Sequence, residues 1–201
     1  MVMNDTMKDR LTAATIRAIE ERKGVQGLSL RGIAKDAGCS HVNVYHHAPR
    51  GLPDLLWLAF TVGLEAFTKA CSDRTSRRAE GENLGEAMAR AFCEFAVARE
   101  GMYRLLWFEA LEGQPGGEAA AAIERSKESY RKAADAMAAE GASVDQFAEE
   151  LDILFAYLQG EVALMINGRS GPDAAAVSDM IAARAKRMWS VLEFEASRRI
   201  P

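Results

Sequence analysis

The chain is poor in the residues that mark secreted, metal-binding and membrane proteins. Its 201 residues include only three cysteines, three histidines and five prolines. The cysteines form no paired motif and are odd in number, which favours a reducing, cytoplasmic setting. No apolar run approaches the ~20 residues of a membrane span, and the polar first ten residues contain no secretory signal. We therefore expect a cytoplasmic protein without a membrane partner.

Charge is distributed unevenly along the chain. The net charge is -4, but residues 1–52 contain eight basic and five acidic residues, which leaves -7 for the remainder. All three histidines also lie in the basic part. A basic head on an acidic body can dock on phosphate through the head while the body is repelled. Taken alone, this difference is also compatible with a chance distribution of surface charge.

The segment from Leu28 to Ala48 predicts two short helices joined by a tight turn at Gly38-Cys39. Serines precede both helices, and serine is a preferred N-cap residue. Apolar residues at helical spacing predict a small shared core of Leu30, Ile33, Ala34, Ala37, Val44 and Ala48. The opposite face of the second helix is rich in hydrogen-bonding groups and lacks carboxylates: His41, Val42, Asn43, Tyr45 and His46. Such a face is typical of a helix that reads the major groove of DNA.

The remaining segments predict further helices and no strands. A first helix from Lys8 to Lys23 ends at Gly24 and completes a three-helix bundle within residues 1–52. Pro53 begins a longer helix and a larger helical domain, residues 53–201, with a loop predicted at 72–81 and a linker at 113–117. No segment shows the two-residue alternation of a strand with one exposed face. The sequence therefore predicts an all-α protein, with a helix-turn-helix bundle followed by a larger helical domain.

The opening block resembles the DNA-binding signature of the tetracycline-repressor (TetR) family of bacterial transcription regulators. The resemblance covers about the first sixty residues and is carried by Gly24, Ser29, Ile33-Ala34, Ala37-Gly38, Ser40 and Val44-Tyr45-His46-His47. A weaker resemblance to TetR-like C-terminal domains lies around Tyr103-Arg104-Leu105-Leu106-Trp107. The resemblance implies a dimeric repressor that a small apolar effector releases from a two-fold symmetric DNA operator.

Roles on DNA follow from residue type. We expect Ser29, Arg31 and Ser40 to contact phosphates, together with Arg10 and with Arg50, which replaces a lysine customary in the family near Gly51. His41 and Asn43 are predicted base readers, because an Asn amide pairs bidentately with adenine. Val42, Tyr45 and His46 share this face, and the last two are expected to contact the DNA backbone or a thymine methyl. His47 is interpreted as a buried structural group.

The larger domain carries two further predicted sites. Bulky aromatic and methionine side chains form a core. As the resemblance implies, they also line an effector cavity together with the polar Gln159. The predicted cavity residues are Trp57, Phe60, Phe67, Met88, Phe92, Phe95, Tyr103, Trp107, Met137, Phe155 and Gln159. The resemblance also pairs the two C-terminal helices with their copies in a second subunit. The dimer residues predicted there are Leu151, Leu158, Gly160, Val162, Val177, Ile181, Met188 and Leu192.

Three other interpretations are open at this point. A small helical enzyme lacks support, because the sequence has no phosphate loop, no metal-ligand spacing and no nucleophile with a paired histidine. A helical protein-interaction module would use the same helix pair only for packing. A metal site at Cys39, His41, His46 and His47 is disfavoured, because adjacent residues point about 100° apart on a helix and no second cysteine pair completes a zinc site. We therefore expect no cofactor and no metal.

Overall fold

A computed structural model describes residues 6–138 and 144–198 of the chain. These residues form nine α-helices and no strand. The helices are α1 (Met7–Arg22), α2 (Leu30–Asp36), α3 (His41–Val44), α4 (Leu52–Ser76), α5 (Leu84–Ala98), α6 (Glu100–Trp107), α7 (Gly117–Ala138), α8 (Val144–Ile166) and α9 (Ala174–Arg198). The prediction of an all-α protein is confirmed. The sequence also predicts a helix end at Gly141 and an N-cap at Ser143, and both positions lie outside the described residues.

The chain divides into two compact units. The first consists of the described residues up to Ala66 together with Arg99–Glu124, and the second of Phe67–Ala98 and the described residues from Arg125 onward. The helices α4 and α7 each contribute residues to both units. This division by packing does not follow the functional boundary predicted after residue 52, because α6 packs against α1 and joins the first unit. The functional boundary stays a prediction.

The helix-turn-helix bundle forms as its local signals predict. Thr6 caps α1 in a capping box with Asp9, and Lys23 ends the helix in the left-handed conformation at φ 54°. One buried cluster joins α1, α2, α3 and the first turn of α4, and its members are Leu11, Ala14, Ile33, Ala34, Ala37, Val44, Ala48 and Leu55. The predicted small core is confirmed, with Leu30 half-buried against it.

Close helix contact fixes α1 against α6 in the first unit. Gly101 of α6 lies so near the end of α1 that an added Cβ atom would sit 2.8 Å from the Ile19 carbonyl carbon. Two ion pairs flank this contact, with Nε of Arg99 2.9 Å from Glu20 and Nζ of Lys23 2.9 Å from Glu100. The backbone of α1 is thereby held directly on α6.

The helix α4 extends beyond its predicted end. The sequence predicts a loop from residue 72 to 81, but the helix continues to Ser76. The hydroxyls of Thr75 and Ser76 donate to the carbonyls of Cys71 and Ser72 at 2.8 and 2.7 Å. The two hydroxyls thereby have partners on the helix itself, so these polar residues are accommodated within α4.

The apolar character of α4 reaches the threshold of a membrane-spanning helix. An 18-residue window within Leu52–Ser76 has a mean hydropathy of 1.2. The helix is long and apolar enough to cross a membrane, although Glu65 and Lys69 interrupt its apolar sequence. Core helices of soluble proteins have the same length and composition, and several side chains of α4 are buried in the two units. One helix of this kind is weak evidence for a membrane span.

Candidate functional site

The turn between α2 and α3 is built by glycine and by helix-capping serines. Gly38 adopts φ +72°, a conformation that favours glycine, and the amide of Cys39 donates to the Ala34 carbonyl at 2.9 Å. The hydroxyl of Ser29 accepts from the Gly32 amide at 3.1 Å, and that of Ser40 accepts from the Asn43 amide at 3.2 Å. Both serines therefore act first as helix caps, as predicted from their positions.

The helix α3 and the turn after it present a polar surface. Regular helix covers only His41–Val44, and hydrogen-bonded turns continue it to Ala48, whose amide donates to the Val44 carbonyl at 2.8 Å. The exposed side chains lie in pairs four residues apart, His41 with Tyr45 and Val42 with His46, so they share one face. Val42 is 61% exposed and Tyr45 48% exposed.

Asn43 is the half-buried member of this surface. Its side-chain amide makes no hydrogen bond with any described residue, so both its donor and its acceptor remain available. An amide with this freedom can make the bidentate pair that adenine offers in the major groove. His47, which the sequence interpretation placed in the core, is exposed instead. The core positions next to it are taken by Val44 and Ala48, which leave no place for an imidazole.

Aromatic packing orients the end of this surface. Gly51 adopts φ +74°, and a Cβ atom there would lie 3.4 Å from Cε1 of Tyr45. A side chain at this position would therefore be strained by the backbone conformation, and its Cβ atom would be in van der Waals contact with the tyrosine ring.

The side chains predicted to contact phosphates differ in whether a carboxylate already pairs with them. Arg10 and Arg31 are exposed and form no ion pair with any described residue, and Arg10 makes only a 3.6 Å contact with the Met7 sulfur. Arg50 is engaged by Asp54, which accepts from its Nε at 2.6 Å and from its backbone amide at 2.7 Å. A phosphate at Arg50 would therefore have to compete with a carboxylate. Lys35 was not predicted as a contact, yet it is exposed on α2 and free of ion pairs within the described part of the chain.

The second unit contains a cavity of about 500 Å³. Its apolar wall comes from α5 and α8 with one residue of α4, and consists of Phe67, Leu84, Met88, Phe92, Leu151 and Phe155. Its polar wall comes from α4 and α7 and the residues that follow α4: Thr68, Cys71, Ser72, Thr75, Ser76, Arg78, Ser126, Ser129, Tyr130 and Lys132. The cavity is therefore two-sided, and its volume lies in the range of small-molecule sites.

Burial keeps the thiol and the phenol on the polar wall neutral. Burial raises the pKa of the Cys71 thiol to about 12. Burial and the nearby Asp152 carboxylate raise the pKa of the Tyr130 phenol. Both groups remain protonated at physiological pH. The lining residues that the structure describes include no carboxylate and no histidine.

Four of the predicted pocket residues line this cavity: Phe67, Met88, Phe92 and Phe155. Four others belong to the first unit and are not part of it: Trp57, Phe60, Tyr103 and Trp107. Phe95 packs edge-on against Phe67 in the core, and Gln159 is half-buried elsewhere on α8. Met137 lies in the part of α7 whose side chains are outside the described residues. Sequence reasoning selected large apolar side chains and so missed the hydroxyl wall, although Thr68, Ser72 and Thr75 are spaced along one helical face.

Most of the residues predicted at a dimer interface are buried within the chain itself. Leu151, Leu158, Val162, Val177 and Ile181 are buried, so these five side chains are not available to a partner in this structure. Met188 and Leu192 are half-buried. The hydrophobic periodicity of α8 and α9 marks the face of each helix that packs within the second unit.

The exposed apolar side chains of α8 and α9 lie on other faces. On α8, Ile153, Gly160 and Leu164 are exposed at steps that keep them on one side, and a Cβ atom at Gly160 would meet nothing within 4 Å. On α9, Val191 is 60% exposed and Phe194 58% exposed. This arrangement leaves an uncovered apolar stripe on each helix.

Among the described residues, no group of three or more His, Cys, Asp or Glu side chains lies close enough to hold a metal ion. The histidines are directed outward at the end of the helix-turn-helix rather than towards a common point. The thiol of Cys39 is free and half-buried.

Comparison with known proteins gives the fold. The sequence matches no family model, and no curated protein is similar to it. Solved structures are similar over nearly the whole chain. A protein of unknown function from Rhodococcus sp. RHA1 has a TM-score of 0.74 at 22% identity, covering 96% of this chain and 98% of its own. A TetR protein from Acinetobacter baumannii AYE in complex with minocycline has a TM-score of 0.66 at 14% identity, covering 92% and 96%.

A third similar structure is a TetR family transcription regulator from Marinobacter aquaeolei VT8. Its TM-score is 0.61 at 18% identity, and the match covers 92% of this chain and 96% of that protein. Identities this low establish the fold and not the function. The resemblance read from the first sixty residues is confirmed at that level: this chain has the all-α fold of the TetR-family transcription regulators.

Proposed function

We propose that the chain is a dimeric transcription regulator that binds DNA through α3 and represses until a small effector binds in the second unit. The observation that carries the proposal is the exposed face of α3. It combines His41, Val42, Tyr45 and His46 with the uncommitted amide of Asn43, and it bears no carboxylate. A solvent-exposed, hydrogen-bonding face of this kind on the second helix of a helix-turn-helix suits the major groove.

Free cations on the other two helices of the bundle support the same function. Arg31 and Lys35 lie on α2 and Arg10 on α1, and all three are exposed and without an ion pair in the described residues. Their charge is available to phosphates, and release of counterions from DNA would then favour binding. An interaction module that only packed its helix pair would have no need of these free charges.

A dimer follows from the specificity that such a protein needs. One short helix in one groove distinguishes few sequences, whereas two copies read a two-fold site. The uncovered stripes on α8 and α9 suit a second copy of the chain, because the same apolar surfaces meet across a two-fold axis. Gly160 lies on the stripe with open space above it, so a partner helix can approach closely there.

The response to an effector is supported by the course of α4. Leu55 of this helix is buried in the core of the helix-turn-helix bundle, while Thr68 and Ser72 line the cavity of the second unit. A ligand in the cavity therefore contacts the helix on which the DNA-binding core is built. A modest difference in ligand affinity between two positions of α4 would couple the sites.

The proposal is tested by DNA selection followed by binding measurements. The purified protein is incubated with fragmented genomic DNA, and the selected duplex is titrated by fluorescence anisotropy. We expect the affinity to fall steeply with salt, with several phosphates neutralised. Asn43→Ala should weaken binding to the selected duplex about 5- to 100-fold, the range of one bidentate base contact.

The control is Gln26→Ala, which removes an exposed amide from the loop between α1 and α2. This variant should bind as the unmodified protein does. Binding that is independent of salt, or equal affinity of the Asn43 and Gln26 variants for the selected duplex, would rule out reading of DNA by α3.

A further inference from the structure

We infer that the cavity of the second unit takes an amphipathic organic anion, with an apolar body inside and a carboxylate-like head at the cavity opening. The inference rests on the proposed function only in giving this ligand the role of effector. It also changes the expectation of a small apolar effector, because polar side chains form part of the cavity wall.

The apolar wall is formed by buried side chains. Phe92 and Leu151 are fully buried, and Met88 and Phe67 are almost so. The ring of Phe92 meets those of Phe67 and Phe155 edge to face, with centroids 4.8 and 5.2 Å apart. Rings arranged in this way hold a fixed apolar surface against which a hydrocarbon or aromatic body gains burial.

The cations of the cavity lie where it meets solvent. Arg78 and Lys132 both line the cavity and are also exposed, which places them at its opening. Arg78 forms no ion pair with any described residue. Lys132 forms an exposed ion pair with Glu128, whose carboxylate oxygen lies 3.8 Å from Nζ, too far for a hydrogen bond. An exposed pair of this kind is weak, so the donors of both cations remain open to an anionic ligand. A ligand cation would meet two like charges here and no compensating carboxylate on the described lining.

The hydroxyl groups between these regions divide into donors and acceptors. Thr75 and Ser76 donate their protons to backbone carbonyls, so they offer only lone pairs to a ligand. The hydroxyls of Ser72 and Ser129 have no hydrogen-bond partner among the described residues and can donate. Thr68 and Ser126 bond each other at 3.0 Å. The hydroxyls alone can both donate and accept. The two cations add only donors, and the described lining has no carboxylate to oppose them, which favours a ligand with acceptor oxygens.

Length gives a further limit on the ligand. The lining residues of α4 run from Phe67 to Ser76, nine residues apart, which corresponds to about 14 Å along the helix. A medium-length chain or a two-ring body spans this distance. The ligand class is therefore a carboxylate on an apolar body of that size.

The test uses three probes with the same body and different heads. Decanoate, decan-1-ol and decylamine are titrated below their micelle concentrations into the full chain by calorimetry. We expect decanoate to bind at least about tenfold more tightly than the alcohol, and the amine to bind most weakly. Equal affinity for acid and alcohol, or no binding of any probe, would overturn the inference.

Variants that remove cations test whether Arg78 and Lys132 cause the preference for the anion. The double variant Arg78→Gln/Lys132→Gln should raise the Kd of decanoate about tenfold and leave that of decan-1-ol within twofold. The matched control is Arg77→Gln/Arg131→Gln, which removes two exposed neighbouring cations that do not line the cavity. This control should keep the preference for the anion. If both double variants lose it equally, the effect is one of net charge and the site assignment is wrong.

Two further measurements separate this inference from the proposed function. Ser129→Phe fills the cavity and should weaken binding of all three probes, whereas unchanged binding would place the probes elsewhere and overturn the inference. DNA binding is measured on the same samples. A protein that prefers decanoate but binds no DNA supports the ligand class and refutes the proposed regulator, and the reverse result refutes the ligand class alone.

Discussion

The contact between α1 and α6 gives the sharpest prediction for stability. Gly101→Ala adds one methyl group to the face of α6 that touches α1. The new Cβ would lie 2.8 Å from the carbonyl carbon of Ile19 and 2.9 Å from Cα of Glu20, and nearer still to the Ile19 oxygen. These are backbone atoms of a helix, so no side-chain rotation relieves the clash.

The magnitude follows from two opposed effects. Alanine is favoured over glycine inside a helix by about 0.5 to 1 kcal/mol. Inserting a carbon into a packed contact costs about 1 to 3 kcal/mol, and the upper part of that range applies because α1 must move as a whole. The net result is a loss of about 1 to 2 kcal/mol in the free energy of unfolding. For a chain of this size each kcal/mol changes Tm by about 2 to 4 °C.

The assay is thermal unfolding followed by circular dichroism, with Gly117→Ala as the control. Gly117 begins α7, and a Cβ atom there would meet nothing within 4 Å. We expect the control to keep or slightly raise Tm while the Gly101 variant loses about 2 to 8 °C. A Gly101 variant as stable as the control would refute the close approach of α6 to α1.

The other predictions concern the proposed dimer and a half-buried thiol. Gly160→Trp or Val191→Asp should convert the proposed dimer to a folded monomer in sedimentation analysis. The control Gly116→Trp is equally open but lies outside α8 and α9, and should not change the association state. A dimer that survives both changes would exclude these stripes as its interface. Because burial raises the pKa of Cys71 to about 12 from an ordinary value of 9.0, the unfolded thiol ionises first. Its contribution to stability should therefore fall as pH rises from 9 towards 12, and at pH 8 iodoacetamide should modify Cys39 well before Cys71. Equal rates of modification would contradict the raised pKa of the Cys71 thiol.

Local signals account for the part of the fold that the sequence predicts well. The caps at Ser29 and Ser40, and the left-handed turn at Gly38, depend on residues within a few positions of one another. The helical spacing of Ile33 and Ala34 then defines the core side of α2. Each of these features is decided by short-range chemistry, so it can be read from the chain without knowledge of the tertiary structure.

Long-range packing explains where the predicted sites and the structure differ. Hydrophobic periodicity marks Leu151 and Leu158 as one apolar face of α8, but it does not distinguish the core of a subunit from the surface between subunits. The exposed Ile153 and Leu164 are fewer and more widely separated by polar residues, so they give a weaker signal. Only the structure assigns the two faces.

The polar residues of the cavity are equally hard to identify from the sequence. Ser72, Ser126 and Ser129 have the composition of an ordinary solvated face, and their approach depends on how α4 and α7 meet in the second unit. The aromatic residues Trp57 and Tyr103 are equally bulky but serve the first unit. Trp57 donates to the Glu112 carbonyl at 3.0 Å, and such a contact is not visible from spacing along the chain.

The reading of a base by Asn43 is tested most directly by a double-mutant cycle between this side chain and the DNA. Duplexes carrying 7-deazaadenine, which lacks the N7 acceptor, at single positions of the selected site are titrated with the unmodified protein and with Asn43→Ala. We predict one adenine in each half-site at which the two changes are not additive. The coupling should be about 0.5 to 1.5 kcal/mol, because only the N7 bond of the bidentate pair is removed. Additive losses at every adenine would show that Asn43 reads none of them and would contradict its assignment as a base-reading residue of α3.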